Sequence, residues 1–235
     1  MTLAQLTLDL PHRAALGAED FLVSDCNLAA VRLVDSWPGW HGNVQLLIGP
    51  AASGKTHLAR VFQALSGARA LEPASLDIHA IDTMGEGMAL VVEDADRTAY
   101  DERALFHLLN LAREKGLYVL ITGRSAPSRW TYTLPDLVSR LKALPGTEIG
   151  TPDEALLKTV LLKQFADRQI IVDPKVIEVL ALNIERSLAA ASAAVAAVDR
   201  AALATGRKIT RQLVLEVLDA EGNDGSREEG GAGLD

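Results

Sequence analysis

Short apolar runs separated by amphipathic stretches fill the first two thirds of the chain. Val44–Ile48, Ala68–Leu71, Ala89–Glu93, Tyr118–Thr122 and a brief Thr147–Ile149 are the strand candidates. Runs of this kind suit strands buried on both faces of a parallel sheet. Helical periodicity lies between most of them. It is clearest over Asp101–Glu114, where Leu105, Leu108, Leu109 and Ala112 share one face. The alternation predicts an α/β fold with a doubly wound parallel sheet.

The pattern changes after Gly150. Thr151-Pro152-Asp153-Glu154 has a capping residue, a proline for the first helical position and acids for the first turn. A second helix opens at Asp173-Pro174, an alanine-rich third runs from Arg186 to about Thr205, and a fourth covers Thr210 to Leu218. The expected organisation is a leader (1–20), an αβ domain (21–150), a small all-helical domain (151–220) and an acidic tail (221–235). The tail holds five acids, five glycines and one arginine, a composition that predicts disorder.

Candidate chemistry concentrates at Gly49-Pro50-Ala51-Ala52-Ser53-Gly54-Lys55-Thr56, which fits the P-loop pattern G-x-x-x-x-G-K-[ST] between a predicted strand and a predicted helix. In that context backbone N–H groups of the loop, which includes the candidate binding residues Gly49, Ser53 and Gly54, face a phosphate. Lys55 reaches the β- and γ-phosphates, and the Thr56 hydroxyl ligates Mg²⁺. His57 follows the loop and is expected to pack near the nucleotide. A P-loop also needs a carboxylate on a neighbouring strand. The Ala89–Glu93 run ends in Glu93-Asp94, either of which can take the metal side. Thr122 ends another strand, where a polar residue can sense a γ-phosphate. Arg140 and Arg186 are solvated charges or nucleotide contacts; an arginine supplied in trans can accelerate hydrolysis by about 10³–10⁵.

Bulk properties narrow the classes further. The net charge of −8 argues against broad non-specific binding to nucleic acid. A single cysteine, Cys26, excludes a disulfide framework and a thiolate zinc site, and fits a reducing, cytoplasmic compartment. No secretory signal is visible. The apolar run Ser187–Val198 falls short of the roughly 18 residues of a membrane span. The five histidines show no metal-ligand spacing, and Trp37 and Trp40 around Pro38-Gly39 are expected to form a packed corner.

Over about Phe21 to Leu218 the residues resemble the DnaA family of AAA+ proteins. Phe21-Leu22-Val23-Ser24-Asp25-Cys26-Asn27-Leu28-Ala29 is similar to the family's adenine-side box, with Ser24 for its glycine. Gly54-Lys55-Thr56-His57-Leu58 is similar to its P-loop ending. Leu137-Val138-Ser139-Arg140-Leu141 resembles the arginine-finger box, and Asn183-Ile184-Glu185-Arg186-Ser187-Leu188 the lid motif. The resemblance implies a P-loop AAA+ domain with a helical lid, with Asn27 on the adenine side. It implies Arg140 acting on a neighbour's nucleotide and Arg186 on the chain's own, with ADP or ATP and Mg²⁺ as ligands. Departures are the Glu93-Asp94 pair and Gly123-Arg124-Ser125-Ala126-Pro127, where the family has S/G-D-R-P-P.

No helix-turn-helix pattern follows the lid, so the chain is most similar to a short member of the family that inactivates the initiator. Gln5-Leu6-Thr7-Leu8-Asp9-Leu10 resembles the peptide that docks on the replicative sliding clamp, through Gln5, Leu6, Leu8 and Leu10. The implied partners are the DnaA initiator and the clamp, with DNA reached only through the clamp, no membrane, and a possible homo-oligomer. Intrinsic hydrolysis is expected to be weak. The alternatives are a stand-alone ATPase of helicase-loader type and a non-enzymatic origin adaptor.

Overall fold

The computed structural model describes residues 21–72, 76–97 and 100–228. The leader residues Gln5, Leu6, Leu8 and Leu10 lie outside them. The chain divides into two compact units, Met1–Gly150 and Thr151–Asp235.

Unit one is a five-stranded parallel sheet. Its strands are β1 (Val44–Ile48), β2 (Arg69–Ala70), β3 (Ala89–Val92), β4 (Tyr118–Gly123) and β5 (Gly146–Glu148). Their order across the sheet is β2-β3-β4-β1-β5. The three inner strands are almost wholly buried, whereas the edge strands β2 and β5 are largely exposed. Hydrophobic continuity therefore marked the centre of the sheet well and overran the edge, where only two residues of the Ala68–Leu71 run pair.

Successive strand residues point to opposite faces. Leu46, Leu90, Val92, Val119 and Ile121 pack under α3 (Ile78–Asp82), α4 (Glu102–Glu114) and α5 (Pro135–Ala143). Leu47, Ala89, Val91 and Leu120 pack on the other face against α1 (Leu28–Asp35) and α2 (Lys55–Ser66). This two-sided burial is the doubly wound arrangement. α4 begins where Asp101 accepts a hydrogen bond from Ala104 N–H at 2.7 Å, and buries Leu105, Leu108, Leu109 and Ala112 as its periodicity predicts. Trp40 stacks on Phe62 at 4.9 Å and donates from its indole to Leu33 O at 2.7 Å, while Trp37 meets Phe62 and Tyr118 edge-on.

Unit two consists of α6 (Glu154–Asp167), α7 (Pro174–Asn183), α8 (Leu188–Thr205) and α9 (Arg211–Glu228). Leu157, Leu161 and Phe165 of α6 meet Val176, Ile177 and Leu180 of α7, Ala191, Val195 and Val198 of α8, and Val214 of α9. Three boundaries differ from the sequence reading. The cap of α6 is Asp153, whose carboxylate accepts from Leu156 N–H at 2.7 Å, so Thr151 and Pro152 precede the helix. Helix α8 starts at Leu188, capped by the Ser187 hydroxyl, which leaves Arg186 in the bend before it. Helix α9 continues to Glu228, past Leu218 and into the stretch expected to be disordered. Adding one residue to a formed helix gains a hydrogen bond without a new nucleation cost, so polar residues can follow an anchored turn. By length and mean hydropathy (1.4 over 18 residues) α8 would suffice to cross a membrane, unlike the shorter Ser187–Val198 run read from sequence. One of its faces forms part of the helical core.

The start of α5 is held from α4. Glu102 accepts from Leu134 N–H at 2.5 Å, and from Thr133 N–H and its hydroxyl at 3.0 Å. These donors, Leu134 N–H foremost, hold its carboxyl below the ordinary glutamate range. The bond network therefore stabilises the fold above the unfolded pKa of about 4.3, and is lost as pH falls through the lower folded value. Glu102→Gln should lower the urea midpoint at pH 7, and the difference from wild type should shrink below about pH 4. A difference independent of pH would refute the linkage.

Candidate phosphate-binding site

Three segments meet at the C-terminal edge of the sheet. The first is the turn from β1 into α2. It leaves the strand at Gly49, whose N–H donates to Gly123 O at 3.1 Å. It passes through left-handed backbone at Ala52 (φ 58°) and Gly54 (φ 96°), then enters the helix at Lys55. A Cβ on Gly49 would fall 2.7 Å from Ser53 Oγ and 3.0 Å from Ile149 Cβ. A Cβ on Gly54 would fall 2.5 Å from the Phe21 ring. The glycines are thus required by close packing as well as by backbone conformation.

Lys55 is buried and folds back on its own loop, donating to Gly49 O at 2.7 Å and Pro50 O at 2.8 Å. Burial lowers its pKa; Asp94, then Asp96 and Glu93, oppose that shift, and Arg124 adds to it. Ser53 Oγ is buried with no hydrogen-bond partner. Thr56 stands exposed at the first turn of α2. A buried cation, a buried unpartnered hydroxyl and a helix N-terminus converge on a loop of the right shape for a phosphate group.

The second segment follows β3. Glu93 and Asp94 are half-buried there, Asp94 in left-handed backbone (φ 48°). Its N–H donates to Thr122 Oγ1 at 2.9 Å, and Ala95 N–H donates to Thr122 O at 2.8 Å. The buried Thr122 hydroxyl therefore fastens the acidic turn to β4. Of the carboxylates, Asp94 acts most strongly on Lys55. The exposed Thr56 hydroxyl with Glu93 or Asp94 is an all-oxygen donor set of the kind Mg²⁺ takes. Among the described residues no cluster of three or more His, Cys, Asp or Glu forms a self-sufficient metal site.

The third segment is the loop before α1. Asn27 is 4% exposed and spends its amide locally: Oδ1 accepts from Ser24 N–H and Nδ2 donates to Leu22 O, both at 2.9 Å. These two bonds shape the loop. Gly150 N–H donates to Cys26 O at 2.8 Å and ties the loop to the end of β5. Phe21 lies over Gly54 and stacks on His57, with ring centroids 4.9 Å apart and planes inclined by 12°. His57 is thus a packing partner beside the loop.

Two further arginines were candidate nucleotide contacts. Arg140, on α5, sets its guanidinium 5.2 Å from the Phe106 ring centroid. It borders a cavity of about 400 Å³ with Asn43, Val44, Leu109, Arg113 and Leu144. Val44 is the N-terminal residue of β1, so Arg140 sits near the sheet edge opposite the P-loop, roughly 16 Å of strand away. Arg186 belongs to the helical unit, where its charge acts on Glu154. Two residues that the sequence reading did not assign join the site. Asp96 accepts from Arg124 N–H at 2.8 Å, and its other oxygen is buried and unpartnered. The spacing Glu93-Asp94-Ala95-Asp96 was visible in the sequence, but only the pairing with β4 brings Asp96 to this edge.

This fold is shared by proteins of known structure. Domain III of the Thermotoga maritima replication initiation protein DnaA superposes with a TM-score of 0.67 at 19% identity, covering 86% of this chain and 95% of that one. A replication initiator DnaA bound to AMPPCP and single-stranded DNA gives 0.62 at 16% identity, over 80% of this chain and 66% of that one. The Thermotoga maritima RuvB Holliday junction branch migration motor gives 0.61 at 16% identity, over 83% and 66%. No protein-family model and no curated protein sequence matches the chain. The fold is a DnaA-like P-loop AAA+ fold: a doubly wound parallel sheet followed by a helical C-terminal unit.

Gly54→Ala introduces both the left-handed backbone penalty and the collision with Phe21, whereas Gly67→Ala (φ 69°, nothing within 4 Å) introduces only the first. Chemical denaturation should show Gly67→Ala costing about 1–2 kcal/mol and Gly54→Ala clearly more. Equal costs would mean that Phe21 does not pack on the loop.

Proposed function

We propose that this chain is an adenine-nucleotide-binding regulator of DNA replication initiation, which promotes hydrolysis of the ATP held by DnaA while tethered to the sliding clamp. The reading rests foremost on Arg140. Its place near the N-terminal edge of β1 keeps it from the chain's own P-loop, while leaving it exposed for a neighbour's nucleotide. The DnaA-like fold supports a DnaA-type protein as that neighbour. Within that class the Gln5–Leu10 leader supports a protein like Hda, a homologue that inactivates the initiator.

In this mechanism the chain's own P-loop binds ADP or ATP. Backbone N–H groups of the loop and Lys55 hold the phosphates, and Phe21 with His57 walls the loop. Thr56 with Glu93 or Asp94 would hold Mg²⁺, which when bound neutralises phosphate charge. Arg140 leaves the Phe106 ring and enters the partner's site, stabilising charge as the γ-phosphate is transferred to water. The Gln5–Leu10 leader holds the chain on the clamp, so a weak contact between Arg140 and DnaA acts at high local concentration. Such a protein works in the cytoplasm, where DNA, clamp and initiator meet.

Single-turnover hydrolysis of ATP pre-bound to DnaA, with DNA-loaded clamp, tests the reading. Wild type should accelerate the reaction, and Arg140→Ala should lower the acceleration about 10³-fold or more while still binding nucleotide. Full stimulation by Arg140→Ala would rule the mechanism out. Replacing Gln5 and Leu6 by Ala should abolish co-elution with the clamp in gel filtration; unchanged co-elution would remove the tether. The oxygen set at Thr56, Glu93 and Asp94 also suits a stand-alone ATPase. Rapid turnover of ATP by this chain without DnaA would establish that reading instead.

A further inference from the structure

At the sheet edge opposite the P-loop, four segments border the cavity of about 400 Å³. The sheet contributes Asn43 and Val44 at the start of β1, and the Leu144-Pro145 link into β5. The helices contribute Leu109 and Arg113, one turn apart on α4, and Arg140 and Ala143, one turn apart on α5. Backbone bonds fix the border: Leu46 N–H donates to Pro145 O at 2.9 Å, and Val119 N–H to Asn43 O at 2.8 Å. The cavity is therefore built into the fold, and it has the size and mainly apolar lining of a small-molecule site.

Charge singles this cavity out. Arg113 and Arg140 both border it and both are exposed, and no acidic residue borders it. Among the described residues neither guanidinium pairs with a carboxylate. Each stands in the last turn of its helix, where a cation ordinarily answers the helix dipole. A helix end carries only about half a charge, so two full charges leave an excess of positive charge beside an apolar hollow. Asn43 adds a donor: its side-chain NH₂ carries two hydrogens and meets one acceptor, Ala112 O at 3.4 Å. We infer that this cavity is a binding site for a small amphipathic carboxylate. Its apolar body lies among Val44, Leu109, Ala143 and Leu144, and Arg113 and Arg140 engage its head group. A guanidinium fork matches a carboxylate, and an anion there offsets the repulsion between the two cations. The site needs neither nucleotide nor a partner protein, so its failure would leave the proposed function standing.

Titration of the full chain with octanoate, followed by ¹H–¹⁵N NMR, tests the inference; 1-octanol and acetate probe the apolar body and the head group separately. Octanoate should shift the amides of Asn43, Arg113, Ala143 and Leu144 saturably, with 1-octanol and acetate each binding about tenfold more weakly or less still. Arg113→Ala and Arg140→Ala should each weaken octanoate about fivefold while leaving 1-octanol within about twofold. Arg113→Lys and Arg140→Lys should retain part of the affinity. Ala143→Trp, which fills the cavity, should abolish octanoate binding. Thermal melting checks that each variant folds. No saturable shift in wild type, or shifts centred on Gly49–Thr56 instead, overturns the inference. So does equal affinity for octanoate and either control, or octanoate binding indifferent to both arginine changes.

Discussion

The parallel pairing of β1 with β4 is the constraint on which the rest of unit one depends. It aligns Ile48 with Gly123, so the P-loop and the Thr122–Arg124 segment leave the sheet at the same level and bond to each other through Gly49 and Gly123. β3 pairs with β4 on its other side, which brings the acidic turn to the same edge. Three chemically different segments, far apart in the chain, meet because parallel strands all end on one side. The same pairing sends what precedes β1 to the opposite edge, and Arg140 goes with it. The P-loop and Arg140 stand at opposite ends of one strand as a consequence of a single topological fact.

Energetically, the site is expensive. A lysine is buried among backbone carbonyls, Ser53 Oγ and one Asp96 oxygen are buried without partners, and Ala52 and Asp94 occupy left-handed backbone. Each feature opposes folding, and none is offset by the packing of its own side chain. A nucleotide phosphate would satisfy several of them together, by accepting from Lys55 and the loop N–H groups. Two apolar layers around the sheet carry the cost, with Phe62, Leu58, Leu105 and Leu108 fully buried beneath α2 and α4. The strain is concentrated in the turns, where chemistry needs it, and the inner strands are left regular.

Much of this was legible beforehand. Strands buried on both faces announce themselves as continuous apolar runs, so β1, β3 and β4 could be placed within a residue, while the exposed β2 shrank to two residues. Helix α4 was readable from its cap and its period. The P-loop was readable because its glycine spacing answers a backbone requirement local to one turn. Helix ends in the second unit were less so. Asp153 rather than Thr151 caps α6, and Ser187 leaves Arg186 outside α8, because several capping residues stand in a row and the neighbouring helices select among them. The extension of α9 to Glu228 was hidden by composition, since its later turns continue a helix already anchored by Leu213 and Val214.

The sequence by itself determined the class of fold, the phosphate loop and the identity of most candidate residues, since each of these depends on local spacing, backbone freedom or side-chain period. Only the tertiary structure decided which of those residues share a site. Asn27 turned inward to shape its loop, His57 became a stacking partner of Phe21, and Thr122 became a fastening between strands. Asp96 and Arg124 joined the P-loop through β4, which pairs with β3 on one side and on the other with β1, whose partner residues stand 75 positions earlier in the chain, and Arg140 was carried to the far edge. Spacing along the chain encodes what a segment can do locally. Strand order and register, fixed by burying two apolar layers at once, decide what it does it to.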